Sequence, residues 1–227
     1  MDLHTAGHRQ GVVAAPHHAA VEAGRATLAA GGNALEAMVA MAATIAAVYP
    51  HMTQIGGDGF WLVHEPSGRV RALMAPGRAG ANARPEFYRE YETIPPRGPL
   101  ATLTVPGAIS GWMLALEAAH AQGARLPLPD LLGPAIRHAK NGYTVTRSQA
   151  RLTALGRTWG STHTNLRMES RFDGALVERL LSAGHDVEML PDAYSDVMGH
   201  AGAVVLHPGG TLEGGHDPRA DGGAAGV

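Results

Sequence analysis

The chain contains no cysteine. That absence excludes disulfide stapling, thiolate metal sites and a cysteine nucleophile together, and it leaves the redox compartment open. Lysine is nearly absent as well: of 18 lysine and arginine residues only Lys140 is lysine, a bias we attribute to genome composition. Set against 20 Asp and Glu, these residues leave a net charge of −2, so the basic footprint of a nucleic-acid binder is missing. No hydrophobic run reaches membrane-spanning length. The longest, Ala34 to Tyr49, is interrupted by Glu36 and Thr44 and is rich in alanine, which partitions weakly into lipid. The first ten residues carry no apolar signal-peptide core, so a cytoplasmic location is expected. Charged residues are 17% and hydrophobic ones 45% of the chain, the reverse of what disorder requires.

What is present is a chain of 227 residues, long enough for one domain or two small ones, with 30 Gly and 15 Pro that imply many turns. Gly11 to Ala15 reads as a strand ending at Pro16, and His18 to Ala30 as a helix stopped by Gly31-Gly32. Asn33 and Glu36 form a capping-box start for a helix over Ala34 to Tyr49. That helix is apolar on nearly every face, so it is predicted to be buried against a sheet containing Phe60 to Glu65. Phe60 to Glu65 and Arg69 to Met74 flank Pro66-Ser67-Gly68 as a hairpin, and residues 75–106 have no sustained period. Ile109, Trp112, Met113 and Leu116 mark a helix over Ala108 to Gln122. Asp130 is read as the cap of another, Leu131 to Lys140. Beyond Arg151 come a short helix, Ala175 to Ala183, a strand, Asp186 to Leu190, and a hairpin of Gly202 to His207 with Thr211 to Gly214. An isolated hairpin is marginal in water, so Gly202 to His207 is predicted to pair with residues 11–15 or 60–74. Residues 216–227 read as glycine-rich turns. The order suits an α+β layered domain better than a βαβ array.

Chemistry is sparse on this scaffold. His17, His18, His64, His163, His185, His200, His207 and His216 are scattered and form no HxxxH or HExxH pair among themselves, and no metal or cofactor is expected. Gly56-Gly57-Asp58-Gly59 matches neither a Walker loop nor GxGxxG before a helix and reads as a tight turn. Asp217 to Gly222 hints at a calcium loop but lacks the distal glutamate, so a hydrogen-bonded turn is the reading.

Several segments, in order, closely resemble the γ-glutamyltranspeptidases. They are Gly11-Val-Val-Ala-Ala-Pro-His, Gly31-Gly-Asn-Ala-Leu-Glu-Ala, Ile55-Gly-Gly-Asp-Gly-Phe-Trp-Leu-Val, Val105-Pro-Gly-Ala with Gly111-Trp112, and Leu131-Leu-Gly-Pro-Ala-Ile with Asn141-Gly-Tyr. Gly199-His-Ala-Gly-Ala, Leu212-Glu-Gly and Asp217-Pro-Arg-Ala-Asp-Gly-Gly are similar to the family's end. The resemblance implies an N-terminal-nucleophile (Ntn) hydrolase, a four-layer αββα sandwich that cleaves itself. A new N-terminal threonine then attacks a γ-glutamyl amide, with its own α-amine as base. Backbone donors stabilise the oxyanion, and water or an amino acid takes the acyl group. The implied partner is a small γ-glutamyl substrate, with no nucleic acid and no membrane; the alternatives are a related acylase or a catalytically inactive, truncated family member.

The chain departs from the family where the chemistry lies. Residues 1–150 look like the first part of the large subunit and residues 156–227 like the last part of the small one, in one composite, incomplete domain. The part between, with the cleavage site and nucleophile, has no counterpart, and the seam falls within Arg147 to Leu155. An oligomer or a separate segment would have to complete the fold. Gly160-Ser161-Thr162-His163-Thr164 superficially resembles the cleavage motif, which would make Thr162 the nucleophile. Its neighbours match the tail instead, and Asn165 to Glu169 lacks the expected apolar strand, so a loop threonine is the competing reading. For the substrate carboxylate, Arg78 in Pro76-Gly77-Arg78-Ala79-Gly80 is the candidate and Arg71 the runner-up, each against the alternative of a surface arginine.

Overall fold

A computed structural model describes residues 5–95, 100–101, 104–147, 149–150, 165–195 and 197–227. Thr162 and most of the seam lie outside them. The first helix, α1 (His18–Ala29), starts where His17, in extended conformation, accepts from the Ala19 N–H on its Nδ1 at 3.1 Å. It stops at Gly31, whose φ of 86° only glycine adopts without strain. The second, α2 (Ala34–Val48), carries the expected capping box. Asn33 Oδ1 accepts from the N–H groups of Leu35 and Glu36, and Glu36 Oε2 accepts from the Asn33 N–H at 2.8 Å. The other oxygen of Glu36 accepts from the N–H groups of Arg125 and Leu126. One buried carboxylate therefore caps α2 and ties down the link between α3 (Ala108–Ala121) and α4 (Leu128–Asn141).

Helix α2 is buried as its composition requires, with Ala37, Val39, Ala40 and Thr44 inaccessible. Its main neighbours are the helices α1, α3 and α4. It meets the hairpin of β3 (Gly59–His64) and β4 (Val70–Ala75) through Trp61, Val63 and Leu73. At the α1–α2 crossing a Cβ on Gly24 would stand 2.5 Å from Met41 Sδ, so glycine sets the closeness of approach. Helix α4 starts three residues earlier than Asp130 suggested. Pro127 is its cap, and Pro129, with φ already helical and no N–H to satisfy, supports the first turn while Asp130 sits within it.

Three strands escaped the sequence reading: β1 (Thr5–His8), β5 (Leu166–Glu169) and β9 (Gly223–Gly226). The hairpin of β7 (Gly202–Leu206) and β8 (Leu212–His216) is present. Its expected pairing with residues 11–15 or 60–74 is not: β7 pairs only with β8 among the described strands. The tail joins the first half through β8 against β1 and β9 against β2 (Val12–Ala15), both antiparallel. The β2–β9 sheet lies between α1 and the β1–β8–β7 sheet. Bare glycine at Gly214, against Val12 and Ala224, lets the two sheets close. Helix, sheet, sheet are three layers of an αββα sandwich; among the described residues no helix covers β7, which is exposed along its length. Beside this, β5 and β6 (Val187–Leu190) run parallel, joined by α5 (Gly174–Ser182).

Candidate functional site

Residues 75–79 leave β4 along the segment that leads into α3. The φ of Gly77 is 74°, and a side chain there would strike the Val105 carbonyl. The Val105 N–H donates to the Arg78 carbonyl at 2.9 Å, and Ala79 bridges Thr104. Gly107, where a Cβ would meet the Ala75 carbonyl, and Ala108 both donate their N–H to the Gly57 carbonyl, at 3.0 and 2.9 Å. The Gly56–Gly59 turn thus caps α3, and the backbone of Arg78 is fixed beside that start.

The two candidate arginines differ. Arg71 Nη1 donates to Glu65 Oε1 at 3.2 Å across the hairpin, so its charge is committed. The Arg78 side chain is exposed. Two concavities flank the region. One, about 490 Å³, opens between α2 and β3 and is lined by Met38, Ile45, Trp61, Trp112, Asp58 and His64. The other, about 420 Å³, is lined by Ala79, Arg84, Tyr88, Ile94 and Thr104. The structure places neither Arg78 nor Arg71 in the lining of either.

Two clusters were not legible in the sequence. The first is ionic. Glu169, 1% exposed, accepts from the Ser195 N–H and from Arg219 Nε, both at 2.7 Å, with Arg219 Nη2 on its second oxygen. Asp217 accepts from the N–H groups of Ala201 and Arg219 and from Arg219 Nη1, each at 2.9 Å. The Arg219 hydrogen bond holds Glu169 below the usual carboxylate range. Burial works to raise Asp217, and those N–H groups with the guanidinium outweigh it, so it too is lowered. Asp217 therefore closes the hydrogen-bonded turn read from its sequence.

The second cluster is aromatic. His17 stacks on His18 at 4.5 Å, lies tilted against Tyr49 and meets Tyr143 edge-on. Tyr49 meets His51 and hydrogen bonds His200 Nδ1 at 3.2 Å, tying the end of α2 to the tail. Burial first, then the neighbouring His18, pushes His17 down to about 4, while the nearby Thr144 backbone acts against the shift. His17 is therefore neutral near pH 7, with its proton on Nε2 because Nδ1 accepts. No group of three metal-ligating side chains occurs among the described residues.

The family model for γ-glutamyltranspeptidase matches residues 20–158, more than half of the sequence. The chain belongs to the γ-glutamyltranspeptidase family. It is 50% identical over 145 residues to the oxamate amidohydrolase proenzyme of Klebsiella pneumoniae, covering 63% of this chain and 28% of that one. It is 41% identical over 143 residues to the glutathione hydrolase-like YwrD proenzyme of Bacillus subtilis, covering 63% and 26%. Among solved structures, the γ-glutamyltranspeptidase of Helicobacter pylori superposes with a TM-score of 0.57 at 30% identity, over 65% of this chain and 42% of that one. The γ-glutamyltranspeptidase-like chain thus spans about a quarter of the length of these curated relatives, with an incomplete form of their Ntn-hydrolase fold.

Proposed function

We propose that this chain carries the carboxylate-binding side of a γ-glutamyltranspeptidase-type amidase and lacks the segment that cleaves the amide. Arg78 is the residue assigned to the substrate carboxylate. The observation that carries the assignment is the contrast at β4: Arg71 is bound to Glu65, whereas Arg78 presents an exposed guanidinium from a backbone pinned by Val105 and Gly77. A guanidinium fork takes a carboxylate bidentately. Oxamate and γ-glutamyl compounds are both amides that carry a carboxylate, so one arginine suits either substrate class.

The reaction itself is amide hydrolysis or acyl transfer. A threonine Oγ attacks the amide carbonyl, its α-amine takes the proton, N–H donors hold the oxyanion, and the amine leaves. Water or an amino acid then releases the acyl group. The α-amine exists only after cleavage of the peptide bond before the threonine. Residues 1–150 and 156–227 form one composite domain in this reading, and their shared sheets, β1 with β8 and β2 with β9, support it.

Intact mass after denaturing electrophoresis, followed by γ-glutamyl anilide and oxamate assays, tests the missing chemistry. One uncleaved chain without turnover is expected. Cleavage before Thr162 with turnover abolished by Thr162→Ala would overturn the reading. The binding half is tested separately by calorimetric titration with glutamate and with oxamate. Arg78→Ala should weaken binding at least about tenfold, because a charge-assisted bond is worth about 1.5–3 kcal/mol. Arg71→Ala should not.

A further inference from the structure

Among the described strands β7 is the outer one of its sheet, and it holds no charge, no proline and no bulge in its Gly-Ala-Val-Val-Leu sequence. Those are the devices by which natural sheets protect an open edge. Val204, Val205 and Leu206 are 46, 50 and 67% exposed. The hairpin geometry also fixes which backbone groups face outward. The His207 N–H donates to the Thr211 carbonyl at 2.8 Å, so His207 and Thr211 form a hydrogen-bonded pair. Hydrogen-bonded and non-bonded pairs alternate along an antiparallel ladder. With Val205 opposite Glu213 and Ala203 opposite Gly215, it is Val205 and Ala203 that turn their N–H and C=O groups to β8. Gly202, Val204 and Leu206 turn theirs to the open edge.

We propose that this edge is a docking surface for a second copy of the chain, with β7 antiparallel to β7 and the two-fold axis at Val204. In that register Val204 faces its own copy and Gly202 faces Leu206, so every outward N–H and C=O of the strand meets a partner. A shift by two residues leaves one end unpaired. Cross-strand neighbours would be Ala203 with Val205 on one face, and Val204 with Val204 and Gly202 with Leu206 on the other, all apolar. The strand is uncharged, so self-pairing sets no like charges opposite one another, and an isologous contact closes at two copies. The product is one continuous sheet running β1–β8–β7–β7–β8–β1. A single five-residue strand buries far less than the roughly 800 Å² per partner of a stable complex, so the association is a weak one.

Sedimentation equilibrium of the chain from about 10 µM to 1 mM, the span in which a weak complex dissociates, tests it. The expected result is a monomer–dimer equilibrium that Val204→Pro abolishes. Proline there removes an outward N–H and leaves the bonds to β8, so far-UV circular dichroism and the thermal midpoint should stay close to wild type. Val204→Arg, which sets two like charges on the axis, should weaken the dimer at least tenfold. In the concentrated sample the amides of Gly202, Val204 and Leu206 should exchange more slowly than in the dilute one. A monomer at every concentration, a dimer indifferent to both substitutions, or open-ended aggregation without a dimer would overturn the proposal.

Discussion

The two ends of the chain solve burial in opposite ways. In residues 5–147, α2 is walled in by three helices, and its core is built from alanine, valine and leucine with little exposure. In residues 165–195, α5 is amphipathic yet has no buried residue, and Leu181, Phe172 and Met189 stay exposed by 43 to 51%. Apart from Met168 and Leu190, which are buried, what fixes this second region is polar. Glu169, Asp217 and Arg219 lock β5 to the turn between β8 and β9, with Arg171 and Arg219 over the Tyr194 ring. The comparison teaches that a shared family fold is held here by the hydrophobic effect at one end and by a few directional bonds at the other. The two should fail differently.

The largest expected effect is on the polar end. Arg219→Ala leaves Asp217 buried without its guanidinium and Glu169 with only Arg171, 4.0 Å away, a loss of about 3–5 kcal/mol. Limited proteolysis should then cut residues 165–195 while residues 5–147 stay protected. Equal susceptibility of both regions would break the comparison.

At the apolar end, Leu131 is 2% exposed and contacts Val39, Ala40 and Leu116 in one cluster. Leu131→Ala should cost about 2–5 kcal/mol by chemical denaturation. Leu181→Ala, on a half-exposed position of α5, should cost no more than about 0.5 kcal/mol. Similar costs for the two would mean that α5 is covered in solution.

Acid should reach both ends, in separate windows. His17 titrates near 4 in the folded chain against 6.5 unfolded, so the unfolded state gains protons first as pH falls. The stability that neutral His17 confers is complete above pH 6.5 and is lost between 6.5 and 4, on the order of 3 kcal/mol. His17→Asn keeps an N-cap acceptor and removes the titration, so it should flatten stability over that range. Glu169 and Asp217 are shifted downward, so their contribution is present above the ordinary carboxylate range and disappears only below it. Thermal midpoints of wild type and His17→Asn from pH 7 to 3 separate the two steps.

Signals that act within a few residues were readable in advance. Asn33 and Glu36 announced α2, and Pro66-Ser67-Gly68 announced the β3–β4 hairpin within a residue of its ends. Asp130 misled because Leu128 and Pro129 already satisfy a helix start. β9, Gly-Ala-Ala-Gly, carries no strand propensity; it is a strand because Val12 to Ala15 offers it a ladder. Of the site, Arg78 was named from its neighbourhood, but its separation from Arg71 needed the position of Glu65 across the hairpin. Thr162 lies outside the described residues.

By itself, then, the sequence determined the helices, the first hairpin, the lack of thiol chemistry and the family, because caps, periodicity and ordered motifs are local or one-dimensional. Tertiary structure decided which distant residues meet. Tyr49 reaches His200 across 151 positions, Glu169 reaches Arg219 across 50, and β1 and β2 take their partners from the far end of the chain. Such pairings depend on how the layers close, and closure rests on small residues such as Gly24 and Gly214, whose role is visible only once the opposing surface is in place.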